Sequence, residues 1–265
     1  MECGSPGRYW RNPSRHRNAG CDLITTNSFG GSRFGLERHG LAARRLELNP
    51  AAAQVARASA EPDGWVLGDV GAFGDFLEPV GDTTAEELRD AFRIQIAALL
   101  AGSADAVLVE TMSDPAEAIV GVEAAKACAT GVPVIATYAF QKTAPGEFRT
   151  MMGTSAAEAV RRATAAGAAI VGANCSTAVS LDEYVELAGQ LVTAAGSAPV
   201  IVQPNAGAPR PENGLTIYDA TPEEMAGTAT RLLAAGVRVI GGCCGTTPEH
   251  LKAMSRAIRS AQLSS

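Results

Sequence analysis

Three cysteines stand where short apolar, β-branched runs stop: Cys175 in Gly-Ala-Asn-Cys, and the adjacent Cys243 and Cys244 in Gly-Gly-Cys-Cys-Gly. Three thiolates make a zinc site that leaves one coordination position for a substrate, and soft sulfur donors suit zinc better than the hard cations that carboxylates hold. A thiol drawn to that position loses its proton near neutral pH because the cation stabilises the anion, and thiolate is the nucleophilic form of sulfur. Such a site prepares sulfur for alkyl transfer. Any one of these cysteines alone reads as a small buried hydrophobe at a tight turn. Three of them at two strand ends, flanked by Gly241, Gly242 and Gly245 that let the backbone turn closely, favour the metal.

The elements that must bring them together are legible. Apolar runs at Asp22 to Asn27, Trp65 to Val70, Ala106 to Glu110, Pro133 to Phe140, Ala168 to Cys175, Pro199 to Pro204 and Val237 to Cys244 predict strands covered on both faces, as in a parallel sheet. Helical segments alternate with them and open on capping signatures: Thr84 with Glu87, Asp114 with Glu117, Ser155 with Glu158, Ser180 with Glu183 and Thr221 with Glu224. Pro115, Pro222 and Pro248 fall at first helical positions, where a missing amide hydrogen costs nothing. Repeated strand-helix units without a Gly-x-Gly-x-x-Gly turn predict a TIM (β/α)8-type barrel rather than an open doubly wound sheet. In a barrel the carboxyl ends of all strands converge, so cysteines far apart in sequence can meet. Seven strands are recognisable where closure wants eight. Met1 to Asn18 lacks the apolar content of a buried strand and is expected to be a poorly ordered tail, with the barrel domain running from residue 19 to 265 and Ala19-Gly20 closing a helix.

Composition excludes some functions. A formal net charge of −6 gives no general attraction to nucleic acid or to anionic membrane. No apolar run has the length of a membrane span and the amino terminus has no apolar signal core, so a cytoplasmic protein is expected. In that reducing setting six cysteines are free thiols or metal ligands rather than a disulfide framework. Cys3 and Cys21 carry no motif, and Cys128 reads as a small core residue of a helix. His250, in the first turn of the last helix, reads as structural.

Longer motifs are specific. Thr25-Thr26-Asn27-Ser28-Phe29, Gly68-Asp69-Val70-Gly71, Glu110-Thr111-Met112 with Glu117-Ala118, Gly172-Ala173-Asn174-Cys175, Pro204-Asn205-Ala206-Gly207 and the segment from Gly241 to His250 follow one another in a fixed order. Together they make the chain resemble the homocysteine S-methyltransferase family, and within it the homocysteine-binding barrel of cobalamin-dependent methionine synthase, with betaine-homocysteine methyltransferase as a relation. The resemblance implies that Cys175, Cys243 and Cys244 ligate zinc, that homocysteine sulfur takes the fourth position, and that Glu110 holds the substrate's amino group. Asn27 and Asn174 are candidate substrate-binding residues, Asn174 also shaping the zinc loop, and Asn205 lines the pocket. The methyl donor is left open: methylcobalamin or methyl-folate on a separate corrinoid or folate module, or a small molecule such as S-methylmethionine or betaine. The long segment Gln141 to Thr154 is either a mobile loop over the barrel mouth or a plain connection.

The chain also departs from that pattern. The Asp-Gly-Ala-Met-Gly-Thr strand and turn with which family members begin has no counterpart in Met1 to Gly20, and Ala72 stands where the third-strand motif usually carries proline. A missing first strand keeps a second function in view, a catalytically impaired zinc-binding barrel remnant or partner subunit. A third, a phosphate-binding barrel enzyme using Gly241-Gly242 before a helix start, is disfavoured by the adjacent cysteines.

Overall fold

The computed structural model describes residues 11–60, 62–212 and 214–263. Packing divides the chain into two compact units, Met1–Glu110 with Val120–Val134, and Thr111–Ile119 with Ile135–Ser265. The first carries α1 (Arg11–Asn18), β1 (Leu23–Thr25), α2 (Arg33–Glu37), α3 (Arg45–Ala60), β2 (Trp65–Gly71), α4 (Ala85–Ala101) and most of β3 (Ala106–Met112). The helix α5 (Pro115–Cys128) follows, and then β4 (Val134–Tyr138), β5 (Gln141–Ala144), β6 (Glu147–Arg149), α6 (Ala156–Ala166), β7 (Ile170–Asn174) and α7 (Leu181–Ala195). The chain continues through β8 (Val200–Gln203), β9 (Arg210–Glu212), β10 (Leu215–Ile217), α8 (Pro222–Ala234), β11 (Val239–Ile240) and α9 (Pro248–Leu263). Among the described residues seven strands form one sheet in the order β1-β2-β3-β4-β7-β8-β11, the barrel-type α/β arrangement that the alternation predicts.

The helices start where the sequence says they should. Thr84, Ser180 and Thr221 each accept from the amide three residues on while the glutamate there reaches back to the cap amide, and Ser155 accepts from the Glu158 amide. Asp114 Oδ1 takes the Ala116 amide at 2.8 Å, one residue before α5 begins at Pro115. Each cap satisfies an orphan donor of the first turn, worth about 1 kcal/mol.

In the first unit β1 and β2 pair in parallel with Leu23 opposite Trp65, and β2 pairs with β3 so that Gly71 lies opposite Glu110. Ile24, Ala56, Ala60 and Val66 pack into one core cluster, which sets α3 against both strands. In the second unit Val171 to Asn174 of β7 lie opposite Val200 to Gln203 of β8, and Val239 and Ile240 of β11 opposite Ile201 and Val202. Ala206, Met225, Ala229 and Met254 make the cluster that packs α8 and α9 together.

Two expectations change. Residues 11–18, read as part of a poorly ordered tail, form a helix; Met1 to Trp10 lie outside the described residues. Arg15 and Arg17 lie in its last turn, where cations complement the helix dipole, and Arg17 donates to the Cys21 carbonyl at 2.9 Å. The segment after Phe140, read as a mobile loop or a plain connection, holds an antiparallel hairpin, β5 with β6. Lys142 Nζ lies 2.8 Å from a Glu183 carboxylate oxygen on α7, Gln190 donates to the Gly146 carbonyl at 2.8 Å, and Phe148 is buried.

Gly172 lies opposite Ile201, and a Cβ there would stand 1.7 Å from the Ile201 carbonyl oxygen. Gly172→Ala is therefore expected to push β7 from β8 and to cost roughly 3 kcal/mol, the upper part of the range for overpacked sites. Urea denaturation measures this, and an unshifted midpoint would contradict the close approach.

Candidate metal centre

The parallel register of β7, β8 and β11 fixes where the sulfur ligands can be. Cys175 follows the last residue of β7, and Cys243 and Cys244 lie three and four residues past the end of β11. Backbone bonds then draw both turns onto the end of β8. The Cys175 amide donates to the Gln203 carbonyl at 3.4 Å, the Cys243 amide to the Pro204 carbonyl at 2.8 Å, and the Ala206 amide to the Cys244 carbonyl at 2.9 Å. Asn205, 3% exposed, clips the two turns together: its Oδ1 accepts from the Cys244 amide at 3.2 Å and its Nδ2 donates to the Ser176 carbonyl at 3.3 Å.

The three Sγ atoms lie within 4.8 Å of one another, with Cys175 Sγ 3.4 Å from Cys244 Sγ. Tetrahedral zinc with bonds of about 2.3 Å wants sulfurs about 3.8 Å apart, so the donor type and spacing both fit that ion. Cys175 takes φ +46°, in the left-handed region that costs a non-glycine residue about 1 kcal/mol, and this aims its side chain back toward the other two. Gly245, at φ +77°, closes the other turn; a Cβ there would lie 2.3 Å from Tyr218 Cβ. In the free thiols the hydrogen bond with Cys243, then burial, then the charge of Cys243 push Cys244 well above the ordinary thiol range. A bound dication reverses that order, because coordinating thiols are deprotonated outright.

Polar side chains lead up to the cluster. Thr137 Oγ1 accepts from the Thr111 amide at 3.2 Å, Thr111 Oγ1 accepts from Asn174 Nδ2 at 2.6 Å, and the same Nδ2 lies 3.9 Å from Cys243 Sγ. Asn174 is fully buried, and its Oδ1 has no hydrogen-bond partner. The Tyr218 hydroxyl hydrogen-bonds Cys244; burial, and after it that bond and the Cys244 charge, push the phenol up to about 12. Tyr184 accepts the Ser176 amide at 2.7 Å, fixing the turn after Cys175.

Of the residues expected at the site, Cys175, Cys243, Cys244 and Asn174 are together in the second unit. Glu110 and Asn27 belong to the first unit. Asn27 is exposed just after β1, and Glu110 is half-buried near the end of β3. Beside Glu110 lies Asp69 of β2, 3% exposed. Burial, then the charge and hydrogen bond of Glu110, hold the Asp69 carboxyl protonated well above the usual carboxylate range. Burial lifts Glu110 to about 7, against the hydrogen bond from Asp69 that lowers it. Two adjacent carboxyls thus share a proton near neutral pH.

Elsewhere, His250 keeps out of the cluster: Nδ1 accepts from the Thr247 amide at 3.1 Å and Nε2 lies 2.8 Å from the Ala220 carbonyl, so the Nε2–H tautomer holds the start of α9. Cys128 is a half-buried residue at the end of α5 donating to the Arg93 carbonyl, not a core residue. Sequence reasoning missed Thr111, Tyr218 and Asp69 as parts of polar networks, and it saw Asn205 only as lining. Thr111, Asp69 and Asn205 stood inside quoted motifs whose spacing alone does not show what they touch. Tyr218 follows a strand of three largely exposed residues, too short to signal.

The fold is a barrel-type α/β one with three thiols gathered in the turns after β7 and β11, the strands on either side of β8. Residues 14–258 match the homocysteine S-methyltransferase family, and the chain belongs to that family. It is 30% identical over 258 residues to methionine synthase of Mycobacterium tuberculosis and 30% identical over 256 residues to that of Mycobacterium leprae, covering 92% of this chain in both. The chain spans about a fifth of the length of those two proteins, 21% and 20%. Among solved structures, the metallated form of the homocysteine methyltransferase MmuM from Escherichia coli superposes with a TM-score of 0.77 at 22% identity, over 96% of this chain and 85% of that one. At that identity the likeness is one of fold. Among the described residues no helix is long and apolar enough to cross a membrane.

Removing the Asn205 amide strands a buried amide and a carbonyl, so Asn205→Ala is expected to destabilise the second unit by about 1–3 kcal/mol in chemical denaturation. A change within error would show that the two turns hold without it. The carboxyl pair gives a pH signature. Glu110 ionises near 4.5 when unfolded and near 7 when folded, so the folded chain holds an extra proton between those values and stability falls as pH rises through them. Melting curves taken at about pH 5 and about pH 8 should show that loss, and Glu110→Gln should reduce it. An equal pH slope in the variant would remove Glu110 as its source.

Proposed function

We propose that the chain transfers a methyl group to the thiol of homocysteine, giving methionine, at a zinc centre held by Cys175, Cys243 and Cys244. The observation that carries this reading is the convergence of those three sulfurs, within 4.8 Å of one another, in a member of the homocysteine S-methyltransferase family. Methionine synthase of Mycobacterium tuberculosis and the metallated homocysteine methyltransferase MmuM, both similar to this chain, add support by their names.

Zinc bound by the three cysteines would supply Lewis acidity that lowers the proton affinity of a substrate thiol at its open position. The protein's own residues do the rest. Asn174 places its amide N–H toward Cys243 and spreads that sulfur's charge, while the Tyr218 hydroxyl does the same for Cys244. Glu110 accepts the substrate's ammonium, and Asn27 and Asn174 are proposed as further substrate contacts. In the transfer the homocysteine sulfur forms a bond to the methyl carbon, the bond from that carbon to its donor breaks, and the thiol proton leaves. The methyl donor is either a small molecule or a corrinoid or folate carried on another module, and assays with each donor class tell them apart.

The purified chain is expected to hold one zinc per molecule and to convert homocysteine to methionine with one of these donors. Cys243→Ala should lose zinc, measured by elemental analysis, and lower methylation more than about a hundredfold. Wild-type chain free of zinc after expression in zinc-supplemented medium, or undiminished methylation by the variant, would overturn the proposal. Bound zinc without any response to homocysteine would point instead to an impaired barrel.

A further inference from the structure

We infer that Asp69 is a second carboxyl for the ammonium group of the substrate amino acid, acting beside Glu110; this rests on the reading of the chain as a homocysteine-binding protein. The position is an odd one for an acid. β2 is otherwise an apolar strand whose Val66, Leu67 and Val70 are buried, and Asp69 is 3% exposed among them. A carboxylate there carries a large desolvation cost that an apolar residue of similar size would avoid.

The surrounding hydrogen bonds fix the backbone of Asp69 and leave its carboxyl aside. The Asp69 amide donates to Thr26 Oγ1 at 2.9 Å. The Ser28 hydroxyl donates to the Asp69 carbonyl at 2.7 Å. The Thr26 and Ser28 oxygens are 2.6 Å apart, so the Thr26 hydroxyl donates to Ser28 and closes a ring. Gln95 of α4 adds Nε2 bonds to the Ser28 carbonyl at 2.8 Å and to the Asp69 carbonyl at 3.2 Å. None of these donors serves the carboxyl. What faces it is a second acid, Glu110, and Asp69 Oδ1 has no hydrogen-bond partner.

A second, independent acceptor is stranded in the same cluster. Gln95 is 1% exposed, both donor hydrogens of its amide are committed to backbone carbonyls, and its Oε1 has no partner. The other charged groups at β2 are engaged elsewhere. Arg57 pairs with Asp105, which takes the Val66 amide at the start of the strand, and Arg38 donates to the Phe73 carbonyl beyond its end. A buried set of acceptors with two facing carboxyls, and among the described residues no cation recorded against them, is a receptor for a donor-only group. An ammonium carries one positive charge and three donors, and its arrival lets the shared proton leave.

Calorimetric titration of the zinc-loaded chain tests this with two ligands, homocysteine and 4-mercaptobutyrate, the same thiol acid without the amine. Wild type should bind homocysteine about tenfold to a hundredfold more tightly, the range for a charge-assisted hydrogen-bonded pair. Asp69→Asn should remove most of that preference while leaving 4-mercaptobutyrate binding unchanged. Equal weakening of both ligands would mean a merely structural role, and an unchanged preference would overturn the inference. If the variant fails to fold, the wild-type chain still decides: titrations in buffers of different ionisation enthalpy at about pH 7 should show homocysteine releasing more protons than 4-mercaptobutyrate, and equal release would overturn the inference. Wild type binding both ligands equally sinks the ammonium site of Asp69 and Glu110 and leaves the zinc-thiol reading standing. Wild type binding neither sinks the homocysteine reading with it.

Discussion

Everything at the three-cysteine cluster depends on the register of three parallel strands. With β7 opposite β8 and β8 opposite β11, the turns that follow β7 and β11 both fold back onto the end of β8. Gly172 permits the close approach of β7 to β8, and Asn205 joins the two turns by bonding one to each side. Cysteines separated by 69 positions in sequence thereby present sulfurs 3.4 Å apart. Without a metal this arrangement is costly. The hydrogen bond and charge of Cys243, with burial, raise the proton affinity of Cys244, and Cys175 sits in a backbone conformation that its side chain disfavours. Strain and crowded donors are tolerated where something else offsets them, and a dication that ionises all three thiols would do so.

The two units handle buried polarity in opposite ways. Behind the sulfurs, threonine and asparagine side chains pass hydrogen bonds from β4 to Cys243 with neutral groups only, which stabilise negative charge on sulfur without adding a competing one. Around Asp69 the neutral groups lock backbone in place and leave two acids facing each other. The first set would support a cation held by the sulfurs; the second leaves Asp69 Oδ1 and Gln95 Oε1 without partners.

Much of this was legible in the sequence, and the reasons are specific. Short β-branched runs between capped helices identified all seven strands, because capping boxes and first-position prolines are local chemistry that tertiary context rarely overrides. The cysteine cluster was legible because a barrel-type sheet brings strand ends together, so a motif at each of two ends implied one site. The end of α1 was read at Ala19-Gly20, but its body was missed because residues 11–18 are polar, and helix propensity carries little weight against a lack of apolar periodicity. The β5–β6 hairpin was missed because Gln141 to Ala144 is largely exposed and has no alternating pattern, its order coming from contacts with α7. Asp69 was visible as a letter in a motif, but its burial beside Glu110 is a fact of register that spacing does not carry.

The most direct measurement is X-ray absorption at the zinc edge of the metal-loaded chain, before and after homocysteine is added. A centre with three cysteine thiolates and an open position predicts three sulfur scatterers at about 2.3 Å with one lighter ligand, becoming four sulfurs on addition. A sulfur count that stays at three, or a zinc shell of nitrogen and oxygen at the outset, would contradict the assignment of Cys175, Cys243 and Cys244 as the place where substrate sulfur is activated.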